Sequence, residues 1–255
     1  MDLNMSVTHI HFSQPRLLDR WLQIAASLLC ITFSSTGAAV TDDQFFSIPT
    51  QQLLQSLTRA DRDGIATAIK SGANVNEIGK RGITPIIYSV IMLNRPAVEG
   101  LLALNANPNI RQSDGHNALT AGYELSRAAP EIFTALINSG KCNLNVLMPD
   151  DEPMIYYLAA SRKLDFLALA LKKGANHSLL TRGQRPLVIA AALLEEYDAV
   201  ELLLDAGASA SATDAAGTTL LEFVSDGASK EVRPKSTVEQ SRLRLVRRLQ
   251  ALGVK

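Results

Sequence analysis

The chain has 255 residues, of which 47% are hydrophobic and 20% are charged. This balance is ordinary for a folded globular protein and argues against intrinsic disorder. The 25 basic and 25 acidic side chains cancel, which excludes the uniform positive field with which proteins attract nucleic acid. We therefore expect no nucleic acid among its partners.

Residues 1–39 have the layout of a secretory signal peptide. Arg16 and Arg20 precede an apolar run over residues 21–33, and small residues follow up to Ala39. The run is shorter than the ~20 apolar residues that span a bilayer. We therefore predict cleavage near Ala39, a linker before the folded domain, and a periplasmic or secreted protein.

Three alternatives for the N-terminal segment stay open. Residues 21–33 could remain uncleaved and anchor the protein to the inner membrane, in which case this segment alone would contact the membrane. Cys30 could carry a lipid, although the bulky Leu29 precedes it. Translation could also begin at Met5 instead of Met1.

After such cleavage Cys142 would be the one remaining cysteine. An intramolecular disulfide would then be impossible, and stability would come from packing alone. Cys142 fits a small buried apolar residue; the alternative is a mixed disulfide with a partner.

A turn followed by two helices recurs through the rest of the chain, and residues 182–212 show it most clearly. Pro186 suits the first position of a short helix. Val200 and Leu203 then fall on one face of a second helix, and Gly207 ends it.

The period of this unit is about 33 residues. The turns after the second helices are spaced by 33, 35, 34 and 33 residues, and the helix starts by 33, 35, 33 and 33. A fixed period of this length indicates a stack of repeats that bury a continuous core. The turn markers are at positions 72, 105, 140, 174 and 207, and the helix-start markers are Pro85, Ala118, Pro153, Pro186 and Thr219.

These residues resemble the ankyrin repeat. The segment Gly82-Ile83-Thr84-Pro85-Ile86 is similar to the family's Gly-x-Thr-Pro-Leu, and Ala190-Ala191 matches its paired alanines. The stretch from Leu202 to Ala208 matches its Leu-Leu-x-x-Gly-Ala. One departure is Tyr157, which stands where the family has a small residue.

The resemblance implies an all-α ankyrin-repeat solenoid of helix-turn-helix repeats joined by β-turn or hairpin loops. It extends over residues 48–255, after a signal peptide at 1–39 and a linker at 40–47. The expected units are an N-terminal cap at 48–76, repeats at 77–109, 110–145, 146–178 and 179–212, and a C-terminal cap at 213–255.

Chemistry-bearing motifs are sparse in this region. His116, His177 and Cys142 are too few soft ligands for a zinc site. Neither a G-x-x-x-x-G-K-[ST] phosphate loop nor a G-x-S-x-G nucleophile turn occurs. The acidic run 150–152 fits a solvated turn. We therefore expect no enzyme activity, cofactor or metal.

The C-terminal segment 230–255 is rich in Lys and Arg. We expect Arg242, Arg244, Arg247 and Arg248 to form the polar outer side of a capping helix. The alternative is that this segment contacts an acidic partner surface or anionic lipid.

In the family that the chain resembles, the fingertip turns and the exposed side of each first helix form a concave face that grips a protein. Tyr and Arg are enriched at interface hot spots, and Met adapts to irregular surfaces. The alternative for Tyr88 and Met92 is packing between repeats. The candidate contacts are Lys80, Arg81, Tyr88, Met92, His116, Asp151, Tyr156, Arg182 and Gln184.

The resemblance thus predicts a non-catalytic protein, monomeric on its own, that binds another protein in the bacterial envelope. Exported ankyrin arrays resemble immunity partners of secreted effectors, so the most concrete hypothesis is an inhibitor of a toxic enzyme. The alternative hypothesis is a periplasmic adaptor or stress-protection factor that binds an enzyme or an envelope complex.

Overall fold

The computed structural model describes residues 45–226 and 237–254. The predicted signal peptide at 1–39, most of the linker at 40–47, and the basic residues Lys230, Arg233, Lys235 and Lys255 lie outside the described residues. Among the helices that are described, none is long and apolar enough to cross a membrane.

The described residues fold into twelve α-helices, which confirms the predicted all-α class. Among the described residues between the helices, strand pairing is limited to isolated bridges such as Leu147–Pro153. In chain order the helices are α1 (Ile48–Arg59), α2 (Arg62–Lys70), α3 (Pro85–Ile91), α4 (Arg95–Ala103), α5 (Ala118–Glu124), α6 (Pro130–Asn138), α7 (Met154–Ala160), α8 (Leu164–Lys172), α9 (Leu187–Leu193), α10 (Tyr197–Asp205), α11 (Leu220–Asp226) and α12 (Thr237–Ala251).

The helices form six consecutive pairs, each packed on the next. The first helix of a central pair is seven residues long and mostly buried; in α9, residues 187–192 are all buried. The second helix has nine residues and one apolar face. Pairs of this kind cannot bury their apolar surface alone, so the core runs through the stack from one pair to the next.

Side-chain caps fix where several of the first helices begin, α3 and α5 among them. The Thr84 hydroxyl accepts the N–H of Ile87. Asn117 and Thr120 form a reciprocal capping box. These bonds satisfy backbone donors that a helix N-terminus leaves without intrahelical partners.

The predicted helical position of Pro186 is wrong by one residue. Pro186 is the N-cap of α9, with φ −55° and ψ 140°, and it pairs with Leu180 across a hairpin. Pro153 holds the same place before α7. The fixed φ of proline suits both the cap and the first helical residue, and the hairpin selects the cap.

A hairpin turn, here called a finger, precedes each first helix from α3 onward. In each finger the first residue donates its N–H to the carbonyl of the residue four positions later, at 2.8–3.0 Å. Fingers 1 to 5 comprise residues 79–83, 112–116, 148–152, 181–185 and 214–218. Gly82 is required in finger 1 because a Cβ there, at φ +75°, would lie 3.0 Å from the Gln112 Cα.

An asparagine ladder joins the turns after the second helices. Within a repeat, the first Asn accepts the N–H of the residue two positions later, as Asn143 does from Asn145 at 3.0 Å. The second Asn accepts the backbone N–H of the first Asn in the next such turn, as Asn145 does from Asn176 at 2.8 Å. Equivalent bonds between repeats join Asn76 to Asn107 and Asn109 to Asn143, both at 2.7 Å.

Ion pairs hold the C-terminal cap against the stack, together with Leu245 and Leu249, which are fully buried. Contrary to the sequence prediction, Arg242 is not on the outer side of α12. It is 6% exposed, bonds Glu239 at 2.6 and 2.8 Å, and donates to the Val224 carbonyl at 3.1 Å.

Two further arginines of α12 neutralise the acidic side of α10. Arg244 pairs with Asp198 at 2.8 Å. Arg248 pairs with Asp205 at 2.7 Å and also with Glu201. Two arginines of this helix are therefore paired with the preceding repeat, although the Arg244 side chain remains 61% exposed and Arg247 is exposed as predicted.

Candidate partner-binding face

The surface formed by the fingers and the side chains of the first helices next to them is here called the inner face. Finger 3 shows the contact directly, because the Tyr157 hydroxyl of α7 donates to the Asp150 side chain. Neighbouring fingers are also joined: the Ser113 hydroxyl donates to the Arg81 carbonyl at 3.0 Å, and the Arg182 N–H donates to Glu152 at 2.9 Å.

All five fingertip candidates are exposed. Three of them have left-handed backbone conformations, with φ +59° at Arg81, +68° at Asp151 and +58° at Gln184. Finger 3 and finger 4 thus place a side chain where finger 1 and finger 5 have a glycine with positive φ. The exposed candidates are Lys80, Arg81, Asp151, Arg182 and Gln184.

Tyr88 and Met92 are half-buried on α3 and at its C-cap. The Tyr88 ring packs edge-on against Phe46, with centroids 5.7 Å apart. Burial raises the pKa of the Tyr88 phenol above its ordinary value. Part of Tyr88 is therefore fixed by packing while part remains accessible, an arrangement that suits an aromatic contact residue.

His116 lies at the base of finger 2 and is only 5% exposed. Its Nδ1 is 3.3 Å from the Thr120 hydroxyl, and its carbonyl closes the finger by accepting the Gln112 N–H. The side chain therefore supports the junction between finger 2 and α5 and offers little surface to another molecule.

Three tyrosines form a row across repeats 2 and 3. Half-buried Tyr156 packs edge-on against Tyr157, with ring centroids 5.6 Å apart, and Tyr157 lies 5.9 Å from Tyr123. Tyr123 is buried, and its hydroxyl is 3.1 Å from that of Ser161. Tyr156 is among the contact residues predicted from the sequence, whereas Tyr157 and Asp150 are not. The sequence signal that could have indicated them is Tyr157 itself, because it stands where ankyrin repeats have a small residue.

A lysine from repeat 3, Lys163, contacts two side chains of repeat 2. Lys163 Nζ donates to the Ser126 hydroxyl at 2.6 Å and lies 5.2 Å from the centre of the Tyr123 ring. Desolvation lowers the pKa of Lys163 and raises that of neighbouring Glu124. Burial, assisted by Glu124, also raises the pKa of Tyr123 to about 12, so its phenol stays protonated.

The part of the chain that the structure describes contains no group of three or more His, Cys, Asp or Glu residues that could hold a metal ion. Cys142 is partly buried, and burial raises its thiol pKa to about 11. A thiol with such a pKa is a poor nucleophile near neutral pH, because the reactive species is the thiolate.

No protein-family model matches the sequence, and no curated protein matches it. Solved structures do match. The ankyrin repeat domain of Bcl-3 is 20% identical, with a TM-score of 0.58 over 80% of this chain and 86% of that one. An ankyrin repeat domain from Acinetobacter baumannii AYE is 16% identical, with a TM-score of 0.59 over 80% and 98%.

A third match is to a chain in the complex of a predatory endopeptidase from Bdellovibrio bacteriovorus with its immunity protein. It is 17% identical, with a TM-score of 0.52 over 76% of this chain and 97% of that one. At such identities the similarity establishes architecture alone. The sequence-based prediction is confirmed at that level: the described helical pairs form an ankyrin-repeat solenoid.

Proposed function

We propose that this chain is a non-catalytic protein of the bacterial envelope whose inner face captures another protein. The observation that carries the proposal is the combination of half-exposed tyrosines on the first helices with exposed arginines on the fingers. Tyr88 and Tyr156 lie on first helices, while Arg81 and Arg182 lie on fingers. Tyrosine and arginine are the side chains most often found at interface hot spots.

Most concretely, we propose that the captured protein is a toxic enzyme and that this chain is its inhibitor or immunity protein. The proposal is supported by the predicted signal peptide and by the structural match to a complex that pairs an endopeptidase with an immunity protein. Because identity to that chain is 17%, the match supplies a precedent for the fold and leaves the target of this protein to experiment.

The test is affinity capture from the envelope fraction with the mature chain, followed by measurement of binding to the captured protein. The double variant Tyr88→Ala/Tyr156→Ala should weaken binding at least about 30-fold, because hot-spot truncations cost about 2 kcal/mol or more. Its helical circular dichroism should match that of the wild type.

A matched pair of charge removals tests the choice of face. Arg182 lies on finger 4, whereas Lys172 is exposed near the end of α8, the second helix of its pair. Arg182→Ala should weaken binding and Lys172→Ala should not. Equal effects of the two variants, or loss of helical signal in the tyrosine variant, would contradict the proposed face.

Inhibition separates the two functional hypotheses. An immunity protein should abolish the catalytic activity of the captured enzyme at a stoichiometric ratio. Capture without inhibition would favour the adaptor or stress-protection hypothesis. Fractionation and intact-mass measurement test the proposed export: the periplasmic form should lack about 39 N-terminal residues.

A further inference from the structure

Tyr157 has the position within its helix that alanine has in the repeats on either side. It is four residues after the N-cap Pro153, as Ala190 is after Pro186 and Ala121 is after Asn117. Both alanines are buried, whereas the Tyr157 ring is half-buried and extends toward finger 3. Repeat 3 therefore contains a bulky polar group that its neighbours lack.

The side chain of Tyr157 joins three separate parts of the inner face. Its hydroxyl donates to the Asp150 carboxylate in finger 3. Its ring lies 5.9 Å from the Tyr123 ring of repeat 2 and 5.6 Å from the Tyr156 ring on the same helix. Finger 3 is in turn linked to finger 4, since Arg182 Nη1 lies 3.4 Å from the Asp150 carbonyl oxygen.

We propose that Tyr157 is a positioning residue that holds finger 3 and Tyr156 in the arrangement a partner meets. The role in binding rests on the proposed function, whereas the effect on finger 3 does not. A surface held in its bound arrangement binds more tightly because less conformational entropy is lost on association. The phenol is suited to the task, since burial and the neighbouring Asp150 raise its pKa and keep it a hydrogen-bond donor near neutral pH.

Amide hydrogen exchange measured by NMR on the mature chain tests this directly. In finger 3 the N–H of Met148 bonds the Glu152 carbonyl at 2.8 Å, and that of Asp151 bonds the Met148 carbonyl at 3.0 Å. Tyr157→Phe removes only the hydroxyl, so exchange of these two amides should become about three- to tenfold faster, the loss expected for one hydrogen bond.

Finger 5 provides the internal control, because it follows finger 4 in the stack and has no such tyrosine. Asp214 and Gly217 make the same pair of backbone bonds there, at 3.0 and 3.1 Å. Their exchange should not change in Tyr157→Phe. Faster exchange in both fingers would mean general destabilisation and would overturn the proposal, as would unchanged exchange in finger 3.

Two further variants identify the bond itself. Asp150→Ala removes the other partner of this bond and also the acceptor of the Glu152 N–H at 3.4 Å, so it should speed exchange in finger 3 at least as much as Tyr157→Phe does. Adding Tyr157→Phe to Asp150→Ala should speed exchange no further. Tyr156→Phe is the matched control, because its hydroxyl bonds no other group within the described residues. Additive effects, or an equal effect of Tyr156→Phe, would contradict a Tyr157–Asp150 connection.

Binding data keep the two proposals apart. If Tyr157→Phe loosens finger 3 while Tyr156→Ala leaves capture intact, the positioning of the finger stands and the proposed binding face fails. If Tyr156→Ala abolishes capture while Tyr157→Phe leaves finger 3 unchanged, the binding face stands and the positioning role fails. Together, a loosened finger and weaker capture by Tyr157→Phe would support both.

Discussion

The asparagine ladder gives a quantitative test of how the repeats are coupled. Asn145→Ala removes the acceptor that lies 2.8 Å from the Asn176 N–H in the next repeat. Both groups are at the surface, so water replaces the lost acceptor, and the net cost should be about 1 kcal/mol. In an array of this size that is a fall of about 2–4 °C in Tm.

The ladder also predicts a gain of stability where it stops. Ser178 stands at the position of Asn145 one repeat later, and its side chain bonds His177 instead of the following repeat. Ser178→Asn should create a new acceptor for the Ser209 N–H and stabilise the array by about 0.5–1 kcal/mol. Opposite changes in stability from substitutions at two equivalent positions test the ladder more strictly than either change alone.

The assay is urea unfolding followed by circular dichroism, with unchanged m-values showing that stability alone has changed. Asn138→Ala is the matched control, because Asn138 is exposed at the end of α6 and no hydrogen bond of its side chain is found in the described residues. It should be neutral or slightly stabilising, since alanine favours helix. If Asn145→Ala behaved like this control and Ser178→Asn gave no gain, the ladder would not couple the repeats.

Three other predictions concern single sites. Gln184→Gly should raise stability by about 0.5–1 kcal/mol, measured by thermal unfolding, because it relieves a left-handed conformation at φ +58°. Arg242→Ala should lower it by about 2 kcal/mol in urea, because it removes charge-assisted bonds to Glu239 and one to a backbone carbonyl. Cys142, whose thiol pKa is about 11, should react with a thiol reagent about tenfold faster for each unit of pH between 8 and 10. It should react rapidly at pH 8 once urea unfolds the chain, because unfolding restores an ordinary pKa. Labelling of the folded chain at a rate independent of pH would contradict this.

The fold was predictable because its signals are local. A glycine that ends a helix, such as Gly207 at φ +103°, is required by the conformation of a few consecutive residues. Repetition of such signals at a nearly constant spacing then implies the stack. Pro186 was misplaced by one residue because proline accepts both the cap and the first helical position, and the pairing with Leu180 that decides between them is not visible in its spacing.

The candidate face was only partly predictable. Fingertip residues such as Arg81 and Arg182 are exposed because a two-stranded turn leaves its tip outside the core. The burial of His116 depends on Thr120 one helical turn away, and the bond from Tyr157 to Asp150 depends on how a finger folds over its helix. Contacts of this kind follow from the approach of elements to one another, which periodicity does not specify.

The amino-acid sequence alone therefore determined the repeat length, the helical class and the residues at the turn tips, because each depends on the conformation of neighbouring residues. Tertiary packing decided which charges are paired or buried. Arg244 and Arg248 pair with carboxylates of the preceding repeat, and Arg242 is buried with its guanidinium against the Val224 carbonyl. The electrostatic attraction between a basic side chain and a partner is weaker when an opposite charge lies close to that side chain, and only the fold brings charges from different repeats together.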